Sequence, residues 1–397
     1  MIKYIISKNE SDCYGCRACE QVCPRNAISI IPNIDGFLYP VVNFDKCIGC
    51  NLCKKVCPVE NQNLIFRPIQ RAYAFKSTDH SILSSCSSGG AFPSIADYIL
   101  KNGGYVAGCV FDKMYNAIHI VSNNAHDVYK MRGSKYVQSN LQRVYIEIKK
   151  LLLNNKIVLF SGTPCQVAGL YTFLQKKYEN LLTIDIICHG VPSQKIFQNY
   201  LTTEYREKGT LLKFKFRDKE TCGWSCSAAV AYNSKGRIFK RKLYSYNDSY
   251  MNLFHSCSIM RYSCYTCKFA QNSRVSDLTI GDYWMVDQIL PKIDLNGGVS
   301  VILVNTIAGQ NIVDMLARDN ILIETSLVDA LKTNHNLNSP SPCPSVRKNI
   351  YDNIAEQGYL SVADKVCKYQ FFLPFLKSLL PLKLKKILRR VYNKLTK

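Results

Sequence analysis

The chain has 397 residues, 47% of them hydrophobic and 20% charged, with nineteen cysteines and a formal charge of +22. That length and balance exclude a disordered or fibrous chain and leave room for two or three domains with a substantial core. The excess of 51 Lys and Arg over 29 Asp and Glu suits an acidic cofactor, a nucleic acid or an anionic surface, and charge alone does not choose among them.

The opening MIKYIISKNESDC has no apolar stretch of the secretory kind, and no run of about eighteen apolar residues follows. The thiols are therefore expected in a reducing cytoplasm, committed to metal. Cys13-x-x-Cys16-x-x-Cys19-x-x-x-Cys23-Pro24 is repeated as Cys47-x-x-Cys50-x-x-Cys53-x-x-x-Cys57-Pro58. Three thiolates two residues apart wrap one corner of a cubane, and the fourth, before a chain-turning proline, reaches to a neighbouring one. The spacing predicts two 4Fe-4S clusters, one on Cys13, Cys16, Cys19 and Cys57, the other on Cys47, Cys50, Cys53 and Cys23. Zinc ribbons instead use two ligand pairs across a longer loop, and no histidine lies in this stretch. Anionic clusters would offset part of the basic excess. Residues 1–66 resemble a bacterial-type double-cluster ferredoxin domain.

NQNLIFRPIQ reads as a linker, and from Arg71 strands alternate with helices. AYAFKS, YVAGCVF and AIHIVSN are predicted strands, with a helix in SSCSSGGAFPSIADYILKNG that ends at Gly103-Gly104. An amphipathic helix follows, with Val144, Ile148, Leu151 and Leu152 on one side. KIVLF is a buried-type strand, SGTP a tight turn, and CQVAGLYTFLQKKY a helix with Pro164 at its first position. Such a unit aims free backbone N–H groups at an anion above the turn. LTIDIICHGVPSQKIFQNYLTTEY repeats the pattern, which predicts α/β architecture. LLKFKFRDK, a hairpin turning at Ser234-Lys235-Gly236, a Cys264-x-x-Cys267 loop and the strand-helix pair GVSVILVNTIAGQNIVDMLARDN complete the domain.

Five motifs now fall in order: SSGG at 87–90, GSKYVQS at 133–139, SGTPCQ at 161–166, ICHGVPS at 187–193, and the block from RYSCYTCKF to SDLTIGDYW. From about Arg71 to Asp329 the chain resembles the coenzyme F420 hydrogenase/dehydrogenase beta-subunit family, in which a double-cluster segment also stands in front. The resemblance implies an iron-sulfur flavoprotein oxidoreductase that passes electrons between a two-electron partner and one-electron carriers through FAD and 4Fe-4S clusters. The alternative is a non-catalytic electron-transfer subunit docked on another enzyme. The expected fold class is α+β and α/β: the ferredoxin-type domain, then an α/β flavin-binding domain with a mixed sheet. Its divisions are 1–66, a family N-terminal module at 71–150, a C-terminal module at 151–335, and an extension at 336–397.

On motif position, Cys165, Cys188, Cys264 and Cys267 are candidates for a third 4Fe-4S cluster, or else packed small hydrophobes. Ser88, Gly89, Gly90, Gly133, Ser134, Lys135, Tyr136, Gly162, Thr163 and Gln166 are the FAD candidates, with Lys135 offering charge and Tyr136 a ring to stack. His189 is either a proton donor or a loop hydrogen bonder. Asp277, Asp282 and Trp284 either shape the site or act as turn and cap residues. Cys86, Cys109, Cys222, Cys226, Cys257, Cys343 and Cys367 are expected to be structural. The basic tail after Lys377 has Leu384, Ile387, Leu388, Val391 and Leu395 at helical spacing. It suits either an anionic membrane face or docking on its own domain. A nucleic-acid partner is not expected, because no binding module accompanies the charge. The donor and acceptor, small molecule or protein, stay unnamed by the sequence.

Overall fold

In the computed structural model the described residues are 10–61, 63–205, 211–219, 223–224, 228–233, 235–243 and 248–367. Cys222, Cys226, Ser234 of the expected hairpin turn and the basic tail lie outside them. Among the described residues no helix is long and apolar enough to cross a membrane.

The cysteine-rich segment folds around an antiparallel pair, β1 (Ile28–Pro32) and β2 (Leu38–Val42), with two single-turn helices, α1 (Ala18–Gln21) and α2 (Leu52–Lys55). The remaining strands follow as β3 (Arg71–Lys76), β4 (Tyr105–Phe111), β5 (Ala117–Ser122), β6 (Val158–Gly162), β7 (Leu181–Ile186), β8 (Lys213–Lys215), β9 (Ala228–Tyr232), β10 (Ile238–Leu243), β11 (Leu278–Asp282), β12 (Ser300–Val304) and β13 (Ile321–Thr325). Strands β8 to β10 form a small antiparallel sheet. The other eight form one sheet in the order β13-β3-β12-β11-β7-β6-β4-β5. Its centre, β11-β7-β6-β4, is parallel, and both flanks are antiparallel. The mixed α/β sheet expected from the repeated strand-turn-helix units is therefore present, with β13 added beyond the last predicted strand-helix pair.

Central strands must be apolar on both faces, because helices cover each side. Val158 and Phe160 of β6 point into one core with α4 (Val144–Leu153) and α5 (Pro164–Leu174), whereas Leu159 between them points into the opposite core beside Ile95 and Ile99 of α3 (Ala91–Lys101). Helix α5 starts as its sequence demands: Pro164 occupies the first turn, and Thr163 and Gln166 form a reciprocal capping box. Beyond Asn334, α6 (Arg347–Gln357) and α7 (Leu360–Cys367) pack Tyr351, Ile354, Tyr359 and Val362 into an aromatic cluster with Phe197, Tyr200, Phe214 and Tyr250.

Among its described residues, the cysteine-rich segment shares its core with the elements that follow. Tyr14, Cys16, Ala18 and Val56 are buried in the same cluster as Tyr145, Phe160, Val167 and Phe173 of the sheet and its helices. The expected linker also pairs, with Arg67–Pro68 running antiparallel to Ser273–Arg274.

Candidate functional site

Both cysteine runs adopt one backbone. Gly15 and Gly49 stand at φ +69 and +68, and Arg17 and Asn51 at φ 59, so each run turns sharply twice between its first and third cysteines. Glycine takes the first of these left-handed positions without steric cost. Cys13, Cys16, Cys19 and Cys57 face one recess, which brings the fourth cysteine of the second run to the first three of the first. Burial pushes the thiols of Cys16 and Cys19 well above their ordinary range and that of Cys57 up to about 11. Thiols so dry become ligands only where a cation compensates their charge, as a cluster's iron would. Among the described residues no three His, Cys, Asp or Glu side chains close on a single point.

Cys47 and Cys50 are exposed, and Cys53 is half-buried. Burial raises the Cys53 thiol and the backbone N–H of Lys54 lowers it, with smaller upward contributions from Cys50 and Cys47 nearby. The Cys23 sulfur accepts a hydrogen bond from the Ala27 N–H at 3.3 Å.

A second recess gathers Cys165, Cys188, Cys264 and Cys267, which come from the start of α5, the loop after β7, and the turn at Tyr262–Tyr265 with its exit. Burial raises all four thiols, Cys264 up to about 12. Four thiols lining one recess are the donor set a third cluster would need, and their burial equally describes packed small hydrophobes. Arg274 lines the recess, 2% exposed, and pairs with the fully buried Asp185 at 2.8 Å. Tyr14 lines this recess and the first one.

A far larger cavity of about 490 Å³ opens beside the second recess. Its volume falls in the range of cofactor pockets. Ser88, Gly90, Gly133, Ser134, Lys135 and Tyr136 line it from one side, and Gly162, Thr163 and Gln166 from the end of β6 and the start of α5. Gly133 is held at φ +82, and a Cβ there would meet only the Ser87 hydroxyl, 3.9 Å away. Tyr136 packs between Phe216 and Phe254, with centroids 5.2 and 4.7 Å away. The Lys135 ammonium donates to the carbonyls of Met131, Arg132 and Gly133, and burial lowers its pKa. A flavin would use backbone glycines for close approach and an aromatic edge such as these walls carry, whereas all three N–H groups of Lys135 are spent on backbone carbonyls.

Three candidates have other employment. Gly89 is a packing glycine, since a Cβ there would lie 2.3 Å from the Phe75 carbonyl oxygen and 2.5 Å from the Ser300 nitrogen. The Gln166 amide is committed, accepting from the Thr163 N–H at 2.9 Å and donating to the Ser139 hydroxyl at 2.9 Å. Both nitrogens of His189 meet protein groups, Nε2 the Phe254 carbonyl and Cys257 sulfur at 3.3 Å, Nδ1 the Asn336 and Ser341 oxygens at 3.4 Å. Burial lowers its pKa, and both ring nitrogens meet loop groups as in the hydrogen-bonding alternative.

Asp277 ties the sheet together, accepting from Thr183, Tyr171 and Thr306. Asp282 and Trp284 line the cavity, where Asp282 receives Arg217 and the Trp224 indole N–H, and Trp224 stacks on Trp284 at 5.7 Å. Sequence reasoning missed His119 on β5. It is 2% exposed and lines the cavity, its Nε2 meets the Ser161 carbonyl at 3.0 Å, and its buried Nδ1 has no hydrogen-bond partner among the described residues. Burial lowers its pKa to about 4, so it is a neutral imidazole.

Residues 5–64 match the 4Fe-4S dicluster domain, and residues 155–330 match the family described as the C terminus of the coenzyme F420 hydrogenase/dehydrogenase beta subunit. The chain is thus an iron-sulfur protein of the electron-transferring oxidoreductase class. Residues 155–330 are similar to the C-terminal module of the coenzyme F420 hydrogenase/dehydrogenase beta subunit, and a dicluster domain stands ahead of them. A chain of the xenon-derivatised F420-reducing [NiFe] hydrogenase complex from Methanosarcina barkeri is similar at 15% identity, covering 75% of this chain and 91% of that one with a TM-score of 0.46. No curated protein matches.

Proposed function

We propose that this chain is an iron-sulfur flavoprotein oxidoreductase, with FAD in the large cavity, a third 4Fe-4S cluster on Cys165, Cys188, Cys264 and Cys267, and the two ferredoxin-type clusters beyond it. The observation that supports this reading is a shared set of walls. Thr163, Cys165, Cys188, His189, Gly190 and Val191 line both the large cavity and the second recess, and Tyr14 lines both recesses. Bound FAD would accept or give two electrons to a hydride partner and one at a time to clusters.

The chain's own residues orient that chemistry. Gly133, Ser134 and Ser88 would admit the pyrophosphate close to backbone, Tyr136 would supply an aromatic wall, and the neutral His119 would offer its Nδ1 to the cofactor. Thr163 holds Cys165, with the hydroxyl 3.1 Å from the sulfur. The two-electron partner is a reducible small molecule, coenzyme F420 being one candidate by family, or a protein. The exposed Cys47 and Cys50 also suit a second reading, an electron-transfer subunit that hands electrons to a partner enzyme.

Anaerobic purification with cofactor release tests the proposal. FAD with about twelve irons per chain is expected; about eight irons without flavin would leave only the ferredoxin-type relay. Turnover of a small substrate by the purified chain alone separates enzyme from subunit.

A further inference from the structure

Three arginines rank among the largest fully buried side chains, Arg261, Arg274 and Arg347. Two have carboxylate partners: Arg274 pairs with Asp185 at 2.8 Å and Arg347 with Asp35 at 3.1 Å. Arg261, 1% exposed, has none among the described residues. Its Nε donates to the Cys13 carbonyl at 2.6 Å, Nη1 to the Gln138 amide oxygen at 3.1 Å and Nη2 to the Leu38 carbonyl at 3.0 Å. The guanidinium lies over the Tyr39 ring at 4.0 Å. Every acceptor is neutral, yet an uncompensated buried charge is strongly unfavourable.

Its position says where the compensating charge belongs. Leu38, Gly15 and Cys13 line the first recess, and a Cβ on Gly15 would stand 3.1 Å from Nη1. Arg261 also precedes the turn that carries Cys264 into the second recess, and its backbone N–H bonds the Val191 carbonyl, also in that recess, at 3.0 Å. The Ser263 hydroxyl joins Arg261 on the Cys13 carbonyl at 3.0 Å, so one peptide oxygen ties the two ligand loops together. The charge acts toward the second recess as well, lowering the Cys165 and Cys264 thiols against the larger effect of burial.

We propose that Arg261 is the shared counter-ion of the first ferredoxin-type cluster and the proximal cluster, a positioning residue that fixes their ligand loops together and raises both reduction potentials. The inference rests on the reading above that Cys165, Cys188, Cys264 and Cys267 hold a cluster. Four thiolates leave each cluster anionic, and reduction adds a further negative charge. A fixed positive charge between two clusters favours the reduced form of each. The second ferredoxin-type cluster, on the exposed side of the segment, lacks this neighbour.

The test is potentiometric titration followed by electron paramagnetic resonance on the full, cluster-loaded chain. Arg261→Gln is expected to move two of three cluster signals to lower potential and leave the third in place, and Arg261→Lys to restore most of the shift. Gln138→Glu offers Arg261 a carboxylate where it now meets an amide, and is expected to lower the same two potentials with the arginine intact. If Arg261→Gln fails to hold iron, Gln138→Glu decides. Unmoved potentials in a chain with about twelve irons overturn the role of Arg261 while leaving the third cluster standing. A wild-type chain with about eight irons removes the proximal cluster, and with it any shared counter-ion.

Discussion

The two cysteine runs share spacing and turn geometry but not surroundings. Around the first, Tyr14, Cys16 and Ala18 are buried against α5, and Gly169 of that helix leaves room for Cys16, whose Cβ and Sγ would stand 2.9 and 3.0 Å from an added Cβ. Around the second, every residue from Asn43 to Asn51 is exposed, including Phe44 at 69% and Ile48 at 63%. Nothing among the described residues lies within 4 Å of a Cβ built on Gly49. Identical ligand chemistry is thus given an inner and an outer place by what packs beside it, and accessibility, potential and stability should all divide along that line.

The largest expected effect is on cluster retention. Anaerobic treatment with an iron chelator is expected to remove iron in two steps, about four irons per chain leaving first from the exposed run. Retention of that run's signal after the buried one has gone would break the comparison. A cysteine-to-serine change at Cys47, which alters only the outer set, identifies the fast step.

Gly169→Ala sharpens it from the inner side. The new methyl meets Cys16 and the Tyr145 hydroxyl, 2.9 Å away, and overpacking of this kind costs roughly 1–3 kcal/mol. Urea unfolding of the variant is expected to show that loss together with weakened binding of the first cluster. Gly49→Ala has open space but a φ of +68, so about 1 kcal/mol of backbone strain is expected and the first cluster stays. Equal iron loss from the first cluster in both variants would mean that packing does not separate the runs.

A smaller effect is expected from Thr172→Val. The Thr172 hydroxyl donates to the Val56 carbonyl at 2.7 Å, docking the segment on α5. Its removal is expected to cost about 1 kcal/mol in denaturant unfolding, with the second run's chelation rate unchanged.

What could be read in the sequence was local. The cysteine spacing, the proline behind each run and the capped start of α5 each act within a few residues, and so did the strands of the sheet. What could not be read depends on partners far along the chain. Gly89 looked like a phosphate-binding glycine, but its constraint comes from Phe75 and Ser300 on neighbouring strands. Gln166 lay in a matched motif, yet its amide is used by Thr163 and by Ser139, 27 residues away. His119 gave no signal, because one histidine in an apolar strand looks like core until the cavity on its other side is seen. Tyr14 sits between two cysteines of one run, and its contact with the second recess requires Phe269, against which its ring packs at 5.2 Å.

The antiparallel contact of Arg67–Pro68 with Ser273–Arg274 has a consequence in time. It closes the chain on itself late in synthesis, after the Cys264 to Cys267 turn has been made. At ribosomal rates of about 5–20 residues per second, Cys13 emerges roughly 10–50 s before Cys267. Until α5, and later the Cys264 turn, have been made, the first run lacks the elements that bury it, and its thiols face solvent as Cys47 and Cys50 do in the finished chain. Protection of the inner thiols is therefore a property of the finished chain, and iron loaded during synthesis would enter two equivalent, open sites that become inner and outer only when the fold closes.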